Sequence, residues 1–229
     1  TAYGEQQFGS KTYLSDEDMQ KYGATNVVIQ NNYVKGAGGD AITPQYCYRP
    51  IVQYNVAEEA GRQMNTEDYQ REAGRVAAGI WPWTCKDAVF QYNECFNTLN
   101  AASGNGDGQA WDADTGDGTL YQYNYSHGNT GGTVMFCLQK AVNSTFRYNI
   151  SQNDGSGENI GTLSLAKNPD AHIYNNTFYI PEGTAIIGAR MGYAQASALM
   201  QNNIFYYTGD SPKTETFKGN ASGDNIKLY

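Results

Sequence analysis

Charge is scarce in this chain. Only 17% of its residues are Asp, Glu, Lys or Arg, and only two are His. No apolar run approaches the ~20 residues that a membrane-spanning helix requires, and no cluster of basic residues occurs. With 15 basic against 23 acidic residues the net charge is −8, so nucleic acid and anionic membrane surfaces are poor partners. A polyanionic substrate is disfavoured unless metal ions mediate. The four cysteines (Cys47, Cys85, Cys95, Cys137) form no CxxC pair, which removes the usual sign of a zinc site. They could form two disulfides, but their spacing does not demand it. There is no GxSxG nucleophile elbow and no HExxH pair, and the lone His127 and His172 are read as structural or exposed.

What is abundant is Gly (26), Asn (22) and Tyr (19). Gly and Asn are poor helix formers and Tyr prefers strands, which excludes a helical bundle. Apolar residues at 40% and aromatics at 13% argue against a disordered chain. At 229 residues a single domain over 1–229 is the simplest division. The first residue is Thr1, with no leader before it, so the chain reads as a mature or trimmed piece.

A repeat organises it. Seven segments share an apolar run followed by Tyr-Asn or Asn-Asn: VVIQNN (27–32), PIVQYN (50–55), AVFQYN (88–93), TLYQYN (119–124), STFRYN (144–149), AHIYNN (171–176) and ALMQNN (198–203). Their final residues are Asn32, Asn55, Asn93, Asn124, Asn149, Asn176 and Asn203, spaced by 23, 38, 31, 25, 27 and 27 residues. Three positions before each Asn stands an apolar or aromatic residue, and two before stands mostly Gln, which is the strand period of two. Two or three short strands in each turn of ~25 residues describe an all-β, right-handed parallel β-helix of about seven coils. The repeated Asn is expected to stack as a ladder at one corner. On that reading the sequons Asn124-Tyr-Ser and Asn149-Ile-Ser are chance matches. The long spacings mark insertions: a charged, helix-permissive excursion near 58–75, and the glycine-rich NAASGNGDGQAWDADTGDG (100–118) between Asn93 and Asn124.

Asp107, Asp112, Asp114 and Asp117 fall within eleven residues. Aligning the second strands of the coils gives an inward column Ile42, Ile80, Trp111, Met135, Leu163, Ile186. Asp112 and Asp114 then face outward. The column through Asp112 reads Thr43, Trp81, Asp112, Phe136, Ser164, Ile187, and Asp114 lies between Trp83 and Leu138. Outward aromatics beside carboxylates suit a sugar-binding groove, because aromatic faces stack on pyranose rings and paired carboxylates hydrolyse glycosidic bonds. Trp81, Trp83, Asp112 and Phe136 are the expected substrate contacts, and the partner is a neutral oligosaccharide. Two other readings stand beside this one. DxDxGDG resembles a calcium loop without the closing Glu, and Asp in a Gly-rich turn can be a simple turn former. Trp81 and Trp83 could instead pack under the 58–75 insertion.

The repeats together with DGQAWDADTGDGTLYQYNYSH resemble the right-handed parallel β-helix carbohydrate enzymes of bacteria. The acidic segment is similar to that of the lacto-N-biosidases of glycoside hydrolase family 136. The resemblance implies an extracellular or cell-surface retaining enzyme that releases lacto-N-biose (Galβ1-3GlcNAc) from human milk tetraose without a cofactor in the chemistry. The one metal that the acidic segment DxDxGDG suggests is a structural calcium. It further implies an Asp acid/base and an Asp nucleophile seven residues apart, a spacing that only Asp107 and Asp114 have, with Asp107 as acid/base and Asp114 as nucleophile. The alternatives are a calcium-dependent polysaccharide lyase and a non-catalytic sugar-binding adhesin. An ultraviolet-absorbing product would mark the lyase, and absence of turnover the adhesin.

Solenoid ends need covers. Before the first repeat only SDEDMQKYG offers a helical turn, with Ser15 as N-cap and Gly23 as terminator. The chain is therefore expected to be part of a larger enzyme or complex, with a second polypeptide or further segment packed on its N-terminal end.

Overall fold

In a computed structural model, residue 8 and residues 11–62, 77–99, 107–137, 140–155, 161–188 and 196–209 are described, together with the backbone of 226–228. The excursion expected at 58–75 falls outside the described residues from 63 onward.

The chain winds into a parallel β-solenoid of about six turns. One sheet carries the repeats: Val28–Gln30, Ile51–Gln53, Val89–Gln91, Leu120–Gln122, Thr145–Arg147, His172–Tyr174, Ala198–Gln201 and Ile226–Leu228 pair in parallel in that order. A second sheet of seven strands runs from Tyr33–Lys35 to Ile204–Tyr207. A third joins Trp111–Asp114, Val134–Cys137, Gly161–Ala166 and Ala185–Gly188. The apolar residue of each repeat points inward: Val52, Phe90, Tyr121, Phe146, Ile173 and Met200 are buried and in register. At the edge of the stack Ile29 is only half-buried.

The expected ladder is present along its whole length. Asn Nδ2 donates to the next Asn Oδ1 from Asn32 to Asn55 (2.8 Å), then Asn93 (3.0 Å), Asn124 (3.1 Å), Asn149 (3.1 Å), Asn176 (3.2 Å) and Asn203 (3.0 Å). Each Oδ1 also accepts the backbone N–H of the preceding Asn, as Asn149 does from Asn124 at 2.9 Å. One amide thus satisfies corner groups that strand pairing leaves over. Both sequon residues are spent here: Asn124 and Asn149 are 2% exposed. The residue before each Asn makes the turn with a positive φ, between 53° and 57° from Asn31 to Asn202. That conformation disfavours Tyr, yet Tyr54, Tyr92, Tyr123 and Tyr148 occupy it and stack face to face at 5.2–5.3 Å. The preceding Gln side chains form a third column, with Gln53 donating to Gln30 and Gln91 to Gln53.

The helix Asp16–Tyr22 has the anticipated caps: Ser15 Oγ accepts from Asp18 N at 3.2 Å and Gly23 closes it. It packs along the flank of the solenoid. Phe8, Leu14 and Met19 form a small cluster with Tyr46 and Tyr48, and Leu14 N–H donates to Asp117 at 3.0 Å. All four cysteines are free thiols.

Candidate active site

The acidic strand Trp111–Asp114 lies between the Trp81–Trp83 turn and Val134–Cys137. Trp111 and Ala113 face the core, fully buried, while Asp112 and Asp114 take the other face. On the preceding turn Ile80 pairs with Trp111 and Trp83 with Asp114, which sets Trp81 beside Asp112. Pro82 between the two tryptophans cannot donate to the ladder, so this turn pairs through single bridges. The core Tyr121 hydroxyl ties it to the acidic strand, donating to Asp112 O (2.8 Å) and reaching Ile80 O (3.3 Å).

On the following turn the register differs from the expected alignment. Val134, not Met135, pairs with Trp111, and Leu163 pairs with Ile187, not Ile186. The column through Asp112 therefore continues with Met135 and Ser164, and Cys137 rather than Leu138 stands beside Asp114. Phe136 pairs with Ala113 and is 0% exposed in the core. Its expected role as a sugar contact is corrected: it has no face to offer. The cause is the run Val134-Met135-Phe136. Three consecutive apolar residues carry no parity, so alternation could not tell in from out.

Asp107 is held by a device that motif reading missed. Gly108 has φ +87° and donates to Ala77 O at 2.6 Å. Gly131 N–H donates to Gly108 O at 2.9 Å, and a Cβ at Gly131 would lie 2.0 Å from Asp107 O. The Gly131-Gly132 pair was the available signal. Its backbone presses against the Asp107–Gly108 peptide as no other residue could.

Asp107 and Asp114 interact. The Asp114 carboxyl is pushed up to about 7, first by burial and then by the charge of Asp107, with Lys140 pulling the other way. Its Oδ1 is buried without a hydrogen-bond partner. Asp112 is 3% exposed and also belongs to this face. Asp117 points elsewhere: besides Leu14 N–H it accepts from Asn143 Nδ2 (2.8 Å) and pairs with Lys86 (3.3 Å). The acidic segment is therefore not folded as a single loop of converging carboxylates. Among the described residues no group of three or more His, Cys, Asp or Glu could hold a metal ion.

Trp81 and Trp83 are half-buried and meet edge to face at 5.8 Å. Trp83 leans on the cluster of Phe8, Leu14 and Met19, so one flank of the site is built by the N-terminal segment. His127 pairs with Glu94 on the second sheet and His172 is exposed on the first, neither on the sheet of the acidic strand.

No protein-family model matches the chain. Over 215 residues it is 54% identical to lacto-N-biosidase from Bifidobacterium longum subsp. longum, a match covering 92% of this chain and 13% of that protein. Crystal structures of the GH136 lacto-N-biosidase from Eubacterium ramulus, native and selenomethionine-labelled, superpose with a TM-score of 0.78 at 42% identity. In sequence and fold the chain is GH136 lacto-N-biosidase-like. The E. ramulus superposition covers 87% of this chain and 31% of that one, so the chain spans about a third of one relative and a smaller part of the other.

Proposed function

We propose that this chain is the catalytic β-helix of a retaining glycoside hydrolase that releases lacto-N-biose from lacto-N-tetraose-type glycans. The observation that carries the reading is the buried Asp114 carboxyl, raised to about 7 beside Asp107 and next to Trp83 on the adjacent turn. Glycosidic cleavage with retention needs one carboxyl that holds a proton near neutral pH and one that is ionised, ~5–5.5 Å apart. Asp107 protonates the departing glycosidic oxygen while Asp114 attacks the anomeric carbon. The resulting glycosyl ester is hydrolysed by a water that Asp107 deprotonates. Trp81 and Trp83 stack on the sugar, and Asp112 contributes a polar contact. No cofactor enters these steps.

One observation favours exchanging the two roles. Burial holds the proton on Asp114, which is what a general acid requires. The two groups titrate as a pair, so kinetics decides between the assignments. Asp107→Asn and Asp114→Asn should each lower turnover of lacto-N-tetraose by several orders of magnitude with folding intact. On an activated aryl glycoside the acid variant recovers its first step, because the leaving group needs no proton. The nucleophile variant instead responds to added azide by forming a glycosyl azide of inverted configuration. Full activity of Asp107→Asn with a dead Asp112→Asn would transfer the acid role to Asp112.

An extracellular or cell-surface location fits an oligosaccharide substrate and is checked by fractionating the producing cells. Partial exposure of Val27, Ile29 and Val34 in the first turn supports a further segment or polypeptide against that end. Expression of residues 1–229 alone tests it, since a fully active, cooperatively folding monomer needs no such cover.

A further inference from the structure

We infer that Tyr46 is a positioning residue for sugar binding, acting through Trp83; this rests on the glycosidase reading of the site. Gln45, Trp83, Asp114 and Cys137 form one column across successive turns, so the Trp83 ring is the neighbour of the Asp114 carboxyl. A tryptophan on a sheet surface is free to turn about two side-chain bonds, and stacking on a sugar needs one orientation. Two contacts fix it. The edge of the indole meets Trp81 at 89°, and its Nε1–H donates to the Tyr46 hydroxyl at 3.1 Å.

Tyr46 is itself held on all sides. It sits at the corner after this column with φ +54°, and its N–H donates to Trp83 O at 2.9 Å. Its ring is 7% exposed and stacks on Phe8 at 6.4 Å, within the cluster that Leu14 and Met19 complete. That segment is anchored to the acidic strand's own continuation through Leu14 N–H and Asp117. The corresponding corners of the next two turns carry threonines, Thr84 and Thr115, whose hydroxyls meet each other at 3.1 Å. At the Tyr46 corner the longer side chain carries its hydroxyl to the indole N–H. The N-terminal segment, Tyr46, Trp83 and Asp114 are thereby linked, and the substrate class read at this point is a pyranose whose C–H face lies on Trp83.

The test is a cycle of Tyr46→Phe, Trp83→Phe and the double variant in the full chain, with kcat and KM measured on lacto-N-tetraose. Tyr46→Phe keeps the ring that packs on Phe8 and deletes the hydroxyl that accepts the indole N–H. Its expected effect is a KM raised about two- to tenfold, the loss of one neutral hydrogen bond's worth of orientation, with kcat within about twofold, the pattern of lost uniform binding. In the Trp83→Phe background, which has no indole N–H, adding Tyr46→Phe should change KM no further. An unchanged KM in Tyr46→Phe, or an equal rise in both backgrounds, overturns the assignment. If Tyr46→Phe fails to fold, exchange of the Trp83 Nε1–H proton in the unsubstituted chain reads the bond directly: slow exchange is expected of a proton donated to the Tyr46 hydroxyl, and exchange as fast as in a free indole overturns the assignment. Asp114→Asn runs alongside: full activity there overturns the reading of the site itself, whereas a dead Asp114→Asn with an unmoved Tyr46→Phe overturns the positioning role alone.

Discussion

Replacing Asn124 by Ala in the middle of the ladder should cost far more than replacing Asn32 at its end. Asn124 Oδ1 accepts from Asn93 N–H (3.0 Å) and Asn93 Nδ2 (3.1 Å), while its Nδ2 donates to Phe90 O (2.9 Å) and Asn149 Oδ1 (3.1 Å). Two of these partners keep another bond: Asn93 Nδ2 still reaches Val52 O, and Asn149 Oδ1 still accepts Asn124 N–H. The other two, the Asn93 N–H and the Phe90 carbonyl, lose the partner the ladder gave them at a buried corner, where Asn93 and Asn124 are each 2% exposed. At about 1–3 kcal/mol for each buried orphan, the expected loss is about 2–6 kcal/mol. Asn32 is exposed, and its side chain donates to Gln30 O and Asn55 Oδ1. Water replaces both bonds, so Asn32→Ala should cost about 1 kcal/mol or less. Urea titration followed by circular dichroism measures the difference, with the two midpoints compared under one slope. Asn124→Asp adds a check on mechanism. Its carboxylate can accept from Asn93 but faces two oxygens where the amide donated, so the variant should be weakest above neutrality and recover as acid protonates it. Equal costs for Asn124→Ala and Asn32→Ala would refute the idea that buried satisfaction, rather than turn propensity, selects the repeated Asn.

Three further outcomes follow from the site. Asp114 has a folded pKa above its ordinary value, so the native state holds a proton that the unfolded chain has released between about pH 4 and about 7. Stability supplied by the neutral carboxyl is therefore lost as pH rises through that window; Asp114→Asn should match the wild type near pH 4 and exceed it above about pH 7 in thermal unfolding. Gly131→Ala forces a Cβ to within 2.0 Å of Asp107 O, so the backbone must move and turnover should fall about 100-fold with the far-ultraviolet spectrum retained; unchanged turnover would show that Asp107 does not act. Phe136→Ala should destabilise by about 3–5 kcal/mol, as a core phenylalanine does, and leave KM unchanged at temperatures where the variant is folded. A raised KM there would return Phe136 to the sugar groove.

The architecture was legible because each repeat states two requirements at once. An apolar residue followed two places later by an outward-facing turn residue and then Asn specifies a strand, a parity and a corner. Seven copies specify parallel stacking, since an amide that both donates and accepts can propagate through identical neighbours. The helix at Asp16–Tyr22 was legible for the same local reason, a cap at each end. Parity failed at Val134-Met135-Phe136 and Ile186-Ile187, where adjacent residues are equally apolar and only pairing with the neighbouring turn chooses which one faces in. The candidate site divides in the same way. Asp107 and Asp114 stood out by residue type and spacing, and Trp81 and Trp83 by their outward parity. The tertiary structure alone decided that Asp117 turns away to hold the N-terminal segment, that Gly131 presses on the Asp107 peptide, and that Tyr46 grips Trp83. Those contacts join residues 14 and 117, 107 and 131, and 46 and 83. They depend on which turns lie side by side and on how far a side chain reaches between them, and neither is a property of any local pattern.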